Sequence, residues 1–455
     1  MSLLWKYHKV PILFFILSCV LYIWFTYGIV RADALPLIGI YVTLFILTFQ
    51  IIKRQLDFRL LVVFSVVVRI LFLSATPNLS QDFYRFIWDG RMIMEGFNPY
   101  LYTPDSFILN GKFPIAQAQT LYNGMGALSA SHFTNYPPIN QLCFTIAAFF
   151  SSKSILGAVI VMRLLIIAAD IGAIYFGKKL LKALNMPVHR IFWYALNPFI
   201  IIELTGNLHF EGVMIFFFIW SLYLLQINKW KWAAFILACS VSVKLIPLML
   251  LPLFYNYFKR ADTSKISYSK LIMFYTVIGL SLIAFFLPFF SMEFIDNYSK
   301  TVGLWFGNFE FNASIYYLAR AIGYSITGYN EIAIIGKVLP IIAILIILSF
   351  SFIKKHMQLP QLITSMLLVL TCYLFLSTTV HPWYIATLII CGIFTNYKFP
   401  LVWSLVIILS YLAYTNASNT ENLWIISLEY IIVFAVFIWE VLLKKSLSIK
   451  DLKLD

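Results

Sequence analysis

The fold is decided by the stretch Thr76–Pro138, TPNLSQDFYRFIWDGRMIMEGFNPYLYTPDSFILNGKFPIAQAQTLYNGMGALSASHFTNYPP, which is the main polar part of an otherwise apolar chain. It contains paired carboxylates, arginines, aromatic rings and turn residues. The sequence on either side consists of long apolar runs joined by short linkers. We therefore expect the other polar residues of the protein to converge on this stretch.

The composition identifies the class of protein. Of the 455 residues, 62% are hydrophobic and only 11% are charged, whereas a soluble domain carries about 25% charged residues. We predict an all-α polytopic membrane protein with about 12–14 transmembrane helices, forming a single domain over residues 1–455. The five cysteines lie mostly inside apolar runs and have no metal or redox spacing.

Membrane spans need about 20 apolar residues. Such runs predict spans at roughly 10–30, 35–52, 59–76, 155–177, 190–204, 210–227, 271–290, 331–353, 361–379, 382–396, 399–415 and 423–443. Two apolar segments do not fit this length. Residues 137–151 are short and predict a re-entrant or interfacial helix, whereas residues 231–258 predict two short legs that meet near Lys244.

The basic residues predict the orientation of these spans. With the N-terminus inside, the inner linkers hold 22 of the 33 basic residues, as the positive-inside rule requires. This explains the net charge of +14 without a nucleic-acid partner. The segments 76–138 and 291–330 then become extracytoplasmic loops. We predict a multi-pass protein of the bacterial inner (plasma) membrane with an extracytoplasmic site, and we find no nucleotide-binding loop.

Two acids of the polar stretch, Asp82 and Asp89, are seven residues apart. This spacing predicts a helix with both carboxylates on one face, beside Arg85 and Trp88, which ends at the Gly96–Tyr100 turn. A carboxylate just above a membrane can act as a general base on a hydroxyl, and arginines can bind a lipid phosphate. The alternative is a solvated interfacial helix held by salt bridges.

Three polar residues lie on the predicted outer side, near the ends of apolar segments. His209 and Glu211, at the start of a span, can bind sugar hydroxyls or contribute to a metal site, or they can form a polar helix cap. Lys244 interrupts an apolar run, and an ionisable residue at membrane depth is a functional candidate. It is placed to bind a lipid-linked phosphate, unless it only snorkels to the interface.

A tight turn between two spans carries His381, Trp383 and Tyr384. A histidine can bind phosphate oxygens or donate a proton, and a tryptophan can stack on a sugar. The alternative is an aromatic belt with one polar residue. Other charged residues lie inside spans: we predict a structural role for Asp170, pairing of Arg163 with other helices, and a weaker site role for Arg69.

The polar stretch carries the pattern Asp82-x-x-Arg85…Trp88-Asp89-Gly90…Gly96-x-Asn98-Pro99-Tyr100…Asn135-Tyr136-Pro137-Pro138. This pattern resembles the first extracytoplasmic loop of the glycosyltransferase C superfamily. The chain is most similar to polyprenyl-phosphate-mannose-dependent mannosyltransferases, including the catalytic subunit of GPI mannosyltransferase I. Its segments Asn197-Pro198…Glu211 and Val243-Lys244-Leu-Ile-Pro247 follow that family's order of elements.

The resemblance implies inverting transfer from a lipid-phosphate sugar donor at the outer membrane face, with an aspartate of this loop as the base. Asp82 matches the second acid of the family's Asp-x-Asp-Tyr start, whereas Ser80 stands in place of the first. This departure favours a single carboxylate base and a reaction without metal or cofactor. Lys244 and His381 would then bind the leaving phosphate as its negative charge develops.

We therefore predict a hexosyltransferase that moves mannose from a polyprenyl phosphate to a lipid-linked or surface glycan acceptor. The predicted base is Asp82, with Asp89 second. The predicted phosphate-binding residues are Arg85, Arg91, Lys244 and His381. Stacking on sugar is predicted for Trp88, Tyr100, Trp305 and Trp383, and further substrate contacts for His209, Glu211 and Tyr384.

The alternative from another class is a lipid-linked-sugar flippase or transporter. It would explain the intramembrane charges of Arg163 and Asp170, but it predicts polar residues along a path to both faces and often an internal repeat. The inner linkers of this chain are short and mainly basic. A glycan polymerase or ligase is a third interpretation, and it lacks the Asp82–Tyr100 pattern.

Overall fold

The computed structural model describes residues 2–54, 56–258, 267–307, 309–353, 358–416 and 418–443. Within these ranges the regular structure is helical, apart from one isolated parallel bridge between Phe311 and Thr379. The α-helices are α1 (Ser2–Gly28), α2 (Ala34–Lys53), α3 (Phe58–Ile70), α4 (Asp82–Met94), α5 (Pro104–Ile108), α6 (Ala118–Ala130), α7 (Pro138–Ser151), α8 (Ile155–Ala183), α9 (Phe192–Ala195), α10 (Pro198–Ile200), α11 (Glu211–Gln226), α12 (Trp230–Val241), α13 (Phe254–Tyr257), α14 (Tyr268–Phe286), α15 (Met292–Gly307), α16 (Ile315–Thr327), α17 (Ile332–Ile353), α18 (Leu359–Leu376), α19 (Ala386–Ile393), α20 (Phe399–Val406) and α21 (Leu423–Phe437).

Tighter and wider helical turns extend several of these helices. The 3₁₀ segments are Val188–Ile191, Ile246–Leu253, Leu287–Phe289, Pro382–Ile385 and Ile407–Thr415, and the π-helical segments are Ile201–Gly206 and Ile438–Leu442.

The apolar helices confirm an all-α, multi-pass integral membrane protein. Seven helices of the described ranges are long and apolar enough to cross a membrane, and an eighth span results if one bent pair is counted together. Five shorter apolar helices accompany them: Pro138–Ser151, Trp230–Val241, Ile246–Tyr257, Pro382–Ile393 and Phe399–Thr415. The total of 12–14 spans and the single-domain boundary of residues 1–455 stay predictions.

The polar stretch folds into the short helices α4, α5 and α6, and α4 packs closely on α7. The Phe86 ring stacks on Phe144 with 4.6 Å between centroids. A Cβ atom added at Gly90 would lie 2.3 Å from the backbone oxygen of Phe144. Because only a hydrogen fits in this space, the glycine of the Trp-Asp-Gly motif is required for the approach of these two helices.

The helix α7 has 14 residues and is therefore about 21 Å long, which is short for a hydrocarbon core of about 30 Å. This length fits the predicted re-entrant or interfacial helix. The backbone N–H groups of Ile139 and Asn140 donate to the Ser242 carbonyl. The start of α7 is thereby tied to the connection that carries Lys244.

That connection divides residues 231–258 as the sequence predicts. The helix α12 ends at Val241, and a 3₁₀ helix begins at Ile246. Lys244 therefore lies between two short apolar legs.

A bend of 115° separates Pro198–Gly206 from Glu211–Gln226. The freed carbonyls of Thr205 and Gly206 accept hydrogen bonds from the Arg163 guanidinium, which also donates to Leu73 and Ala75. A break at membrane depth is tolerated when its backbone groups find such partners. Arg163 thus holds the bend, and the bend places Glu211 and His209 inside the protein.

Two further buried intramembrane charges form a structural pair. Arg69 Nε lies 2.7 Å from Asp170 Oδ2, and both side chains are buried. The Tyr194 hydroxyl donates to the second Asp170 oxygen at 2.9 Å. These contacts agree with the predicted structural role of Asp170, and they assign the same role to Arg69.

Candidate active site

A cavity of about 190 Å³ opens beside the Lys244 connection. Its polar wall comes from the segment before α7, the start of α11 and the turn after α18, and its apolar wall comes from α17 and α18. The lining residues that bear on its chemistry are Asn135, Tyr136, Glu211, Lys244, Leu339, Ala343, Leu376, Thr378, Thr379 and Tyr384. The cavity therefore has one face suited to a polar group and one suited to a hydrocarbon chain.

Lys244 and Glu211 form an ion pair in this cavity, with Lys244 Nζ 3.1 Å from Glu211 Oε1. The glutamate is fully buried, whereas the lysine is 18% exposed. The ammonium also lies 5.0 Å from the centroid of the Tyr136 ring, within cation–π range. Lys244 is the one cation among the lining residues that the structure describes. It is thus the group that meets an anion entering the cavity.

Asp82, the first residue of α4, is half-buried and lies within electrostatic range of both members of this pair. The pKa of its carboxyl is raised to about 6. Burial is the main cause of this rise, the nearby Lys244 charge opposes it, and the Glu211 charge adds to it. A base is most effective when its pKa is near the working pH. The pKa of Asp82 is therefore compatible with its predicted role as a general base, which stays a prediction.

Asp89 has different surroundings, although the predicted helix is present. Arg85 Nε lies 2.8 Å from Asp89 Oδ1, and both side chains are almost completely buried. Gln141 donates to Oδ2 at 3.1 Å. Arg85 itself donates to the carbonyls of Ser129 and His132. Asp89 and Arg85 therefore join α4 to α7 and to the end of α6. None of Asp82, Asp89 and Arg85 is among the residues that line the cavity, but only Asp89 and Arg85 are enclosed by these partners.

Three other residues predicted to bind substrate are also enclosed by protein. Arg91 donates to the Ala116 carbonyl at 2.6 Å, and Trp88 is 1% exposed in the hydrophobic core. Tyr100 is fully buried, and its hydroxyl donates to the Tyr136 carbonyl at 2.7 Å. Packing explains Trp88 and Tyr100, whereas the buried Nε and Nη2 atoms of Arg91 have no hydrogen-bond partner among the described residues.

A stack of rings follows the cavity wall near Tyr384. The Trp383 ring lies between His209, at 3.7 Å between centroids, and His381, at 4.6 Å. Phe311 continues the stack on the other side of His381 at 5.3 Å. The bridge between Phe311 and Thr379 holds this end in place. The predicted residues His209, His381 and Trp383 are thus brought together.

His381 has the charge state of a neutral imidazole at neutral pH. Burial, followed by the nearby Lys244 charge, lowers its pKa to about 3. Its Nδ1 atom is buried without a hydrogen-bond partner in the described part of the chain. His381 is therefore available as a hydrogen-bonding group, and Lys244 supplies the positive charge.

The structure adds residues that the sequence analysis did not assign to the site. Tyr136 and Thr379 line the cavity, and Glu203 lies 3.7 Å from His209 Nε2. Tyr411 donates to Glu203 at 2.8 Å. Glu203 could have been found as an acid inside a predicted span, whereas Tyr411 lies in an apolar run without any distinguishing signal.

Two further predictions concern metal binding and Trp305. Among the described residues, no three histidine, cysteine, aspartate or glutamate side chains form a group that could hold a metal ion. The metal-free reaction stays a prediction.

The side chain of Trp305 lies outside the described residues, so its sugar-stacking role stays a prediction as well.

The fold is that of a multi-pass membrane protein, and its cavity joins a buried ion pair to an apolar wall. The family model described as alpha-(1->6)-mannopyranosyltransferase, N-terminal domain, matches residues 16–259, which is more than half of the 455-residue chain. The chain belongs to this family of glycosyltransferase C mannosyltransferases, and it is a glycosyltransferase enzyme.

The matched region contains Asp82, His209, Glu211 and Lys244, whereas His381, Trp383 and Tyr384 lie beyond it. No curated protein matches the chain. The prediction of a glycosyltransferase C mannosyltransferase is confirmed.

Proposed function

We propose that the enzyme transfers mannose from a polyprenyl phosphate to a hydroxyl of a glycan or glycolipid acceptor, with inversion at the anomeric carbon and Asp82 as the base. One observation carries the proposal: Asp82 lies within electrostatic range of Glu211 and Lys244, which form an ion pair in one cavity. The family description names α-(1→6) transfer, and we propose the same linkage here. Inversion then requires a β-linked donor.

Lys244 is the proposed contact of the donor phosphate. A phosphate in the cavity competes with Glu211 for the ammonium, which is 3.1 Å from that carboxylate. The apolar residues Leu339, Ala343 and Leu376 offer a path for the lipid chain. A lipid phosphate has an anionic group for the Lys244 ammonium and a hydrocarbon chain for the apolar wall.

The reaction can be written with every atom assigned. The acceptor oxygen attacks the anomeric carbon of mannose while its proton passes to the Asp82 carboxylate. The bond between that carbon and the phosphate oxygen breaks, and the electron pair leaves with the phosphate. Negative charge grows on the leaving oxygen, where Lys244 stabilises it and neutral His381 can donate a hydrogen bond.

The proposed orientation has this cavity on the extracytoplasmic side of a bacterial inner membrane. It rests on the distribution of basic residues, 22 of 33 of which fall on the opposite side. A lipid-phosphate donor fits this side because its lipid chain holds it in the membrane. The enzyme then needs no soluble nucleotide sugar on the extracytoplasmic side.

The test uses the purified full-length enzyme in liposomes, with radiolabelled polyprenyl-phosphate-mannose or polyprenyl-phosphate-glucose. The acceptor probe is octyl α-mannopyranoside, and its 6-deoxy analogue is the matched control. We expect labelled disaccharide from the mannose donor only, none with the 6-deoxy acceptor, and no effect of EDTA.

Different results would contradict the linkage, the metal-free reaction and the transferase activity. Equal transfer to the 6-deoxy acceptor would contradict the linkage, and loss of transfer with EDTA would contradict the metal-free reaction. Movement of the labelled lipid across the bilayer without transfer from either donor would support a flippase instead.

A further inference from the structure

A second cavity, of about 420 Å³, lies between α2, α9, α19 and α20. It contacts the end of the helical segment Pro382–Ile393, whereas His381 precedes the start of that segment. Twelve helical residues extend about 18 Å. The second cavity, which we call the α2 groove, is therefore separate from the active site and lies toward the other end of the helix bundle.

The α2 groove is apolar and open at the protein surface. The rings of Phe45, Phe49 and Trp193 line it. The adjoining residues Val42 and Ile46 of α2 are 37% and 56% exposed. The helix α2 is long and apolar enough to span a membrane, so its exposed side faces lipid. The volume lies within the range of about 300–1,000 Å³ that is typical of ligand sites.

Two cations, Arg190 and Lys398, line the same groove. The Arg190 Nη atoms donate to the Thr395 carbonyl and to the Asn396 side chain, but its buried Nε has no hydrogen-bond partner among the described residues.

The nearby acid, Glu440, accepts hydrogen bonds from the backbone N–H groups of Lys398 and Phe399. The Glu440 carboxylate and the Lys398 ammonium interact electrostatically. They are not in direct contact, and Lys398 forms no ion pair within the described ranges. Two cations against one acid leave a net charge of +1 at the groove. A bound molecule that matches it needs a hydrocarbon chain and one negative charge.

We propose that the α2 groove binds an anionic phospholipid, with one acyl chain along α2 and the phosphate at Arg190 and Lys398. A phospholipid fits better than the polyprenyl-phosphate donor because the donor phosphate must reach Lys244, beyond the other end of Pro382–Ile393. The choice of a phospholipid over this donor rests on the proposed function of Lys244, whereas the lipid measurement below does not depend on transfer activity.

The experiment measures lipid retained by the purified full-length protein with native mass spectrometry, after addition of phosphatidylglycerol or phosphatidylcholine at equal concentration. The wild type should retain phosphatidylglycerol about 10-fold more strongly, a preference of about 1.4 kcal/mol that charge-assisted contacts can supply. The double variant Arg190→Gln/Lys398→Gln should lose this preference. Val42→Trp, which fills the groove from its exposed side, should reduce retention of both lipids.

Lys229→Gln is the control, because Lys229 is an exposed cation away from the groove. It should behave as the wild type does. Equal retention of the two lipids by the wild type, or an unchanged preference in the double variant, would overturn the proposal. Displacement of phosphatidylglycerol by an equal amount of polyprenyl phosphate would overturn it in favour of the sugar carrier.

Discussion

The Nζ atom of Lys244 lies 3.1 Å from Oε1 of the buried Glu211, and this ion pair occupies the cavity that we propose as the entry site of an anionic donor. Asp82 is within electrostatic range of both charges. The three residues come from separate parts of the chain: α4, the start of α11 and the connection after α12. Changes at the pair should therefore be detectable in the titration of Asp82.

The first prediction concerns pH. Asp82 must be ionised to accept a proton, and its pKa is raised to about 6. The rate of transfer should therefore decline as the pH falls through about 6, and it should be constant at higher pH. This decline is the acid limb of the pH profile. The measurement is kcat/KM against pH for the wild type, which reports the free enzyme. A profile without an acid limb between about pH 5 and 7 would contradict the role of Asp82.

The second prediction uses the ion pair to move that limb. Lys244 lowers the pKa of Asp82 and Glu211 raises it. Lys244→Gln should therefore shift the acid limb to higher pH, and Glu211→Gln should shift it to lower pH. Asp296→Asn is the control, since Asp296 is exposed and its one ion pair within the described ranges is with Lys300 at the surface. Shifts of the two cavity variants in the same direction would refute the electrostatic account.

The third prediction concerns donor binding. Hydrogen bonds to charged groups contribute about 1.5–3 kcal/mol, so Lys244→Gln should raise the KM for the mannose donor by roughly 10- to 100-fold. Lys244→Arg keeps the charge and should lose much less. The KM for the octyl mannoside acceptor should change little in either variant. An unchanged donor KM in Lys244→Gln would remove this lysine from phosphate binding.

The fourth prediction separates Asp89 from Asp82. Removing one member of a buried ion pair destabilises a protein by about 3–5 kcal/mol, and Arg85 and Asp89 are 4% and 1% exposed. Arg85→Leu should therefore lower the melting temperature and the yield of folded enzyme. The molecules that remain folded should keep the wild-type pH profile. A shifted profile at unchanged melting temperature would instead place this pair in the reaction.

The fifth prediction concerns the contact between α4 and α7. A Cβ atom at Gly90 meets the Phe144 backbone at 2.3 Å, so Gly90→Ala should force the helices apart and destabilise the protein by about 1–3 kcal/mol. Gly279→Ala is the matched control, because no atom lies within 4 Å of a Cβ added there. Equal melting temperatures of the two variants would show that α4 and α7 are not closely packed.

The sequence predicted the elements that depend on local pattern. Long apolar runs predicted the spanning helices, and the spacing of turn and acidic residues predicted α4 almost to its end at Met94. The interruption at Lys244 predicted the two short legs of residues 231–258. Residues 190–204 and 210–227 were predicted as separate spans, whereas the structure has a bent pair there. These features follow from the cost of placing polar groups in a bilayer.

The contacts between distant parts of the chain could not be predicted in the same way. The helical spacing put Asp82 and Asp89 on one face, but it did not show that Gln141 and Arg85 enclose Asp89. The sequence identified His209, His381 and Trp383 separately, whereas their stacking depends on how the 115° bend packs against a later turn. Such tertiary contacts have no signal in a single sequence.

The most direct test of the central claim is the rate of mannose transfer by Asp82→Asn, compared with the wild type in the same liposomes at pH 7.5. The amide preserves the size of the side chain but cannot accept the proton, and general base catalysis contributes about 10²–10⁴-fold. We predict a loss of transfer within that range at an unchanged melting temperature. Transfer by Asp82→Asn within about 3-fold of the wild-type rate would be far smaller than this loss and would contradict the account.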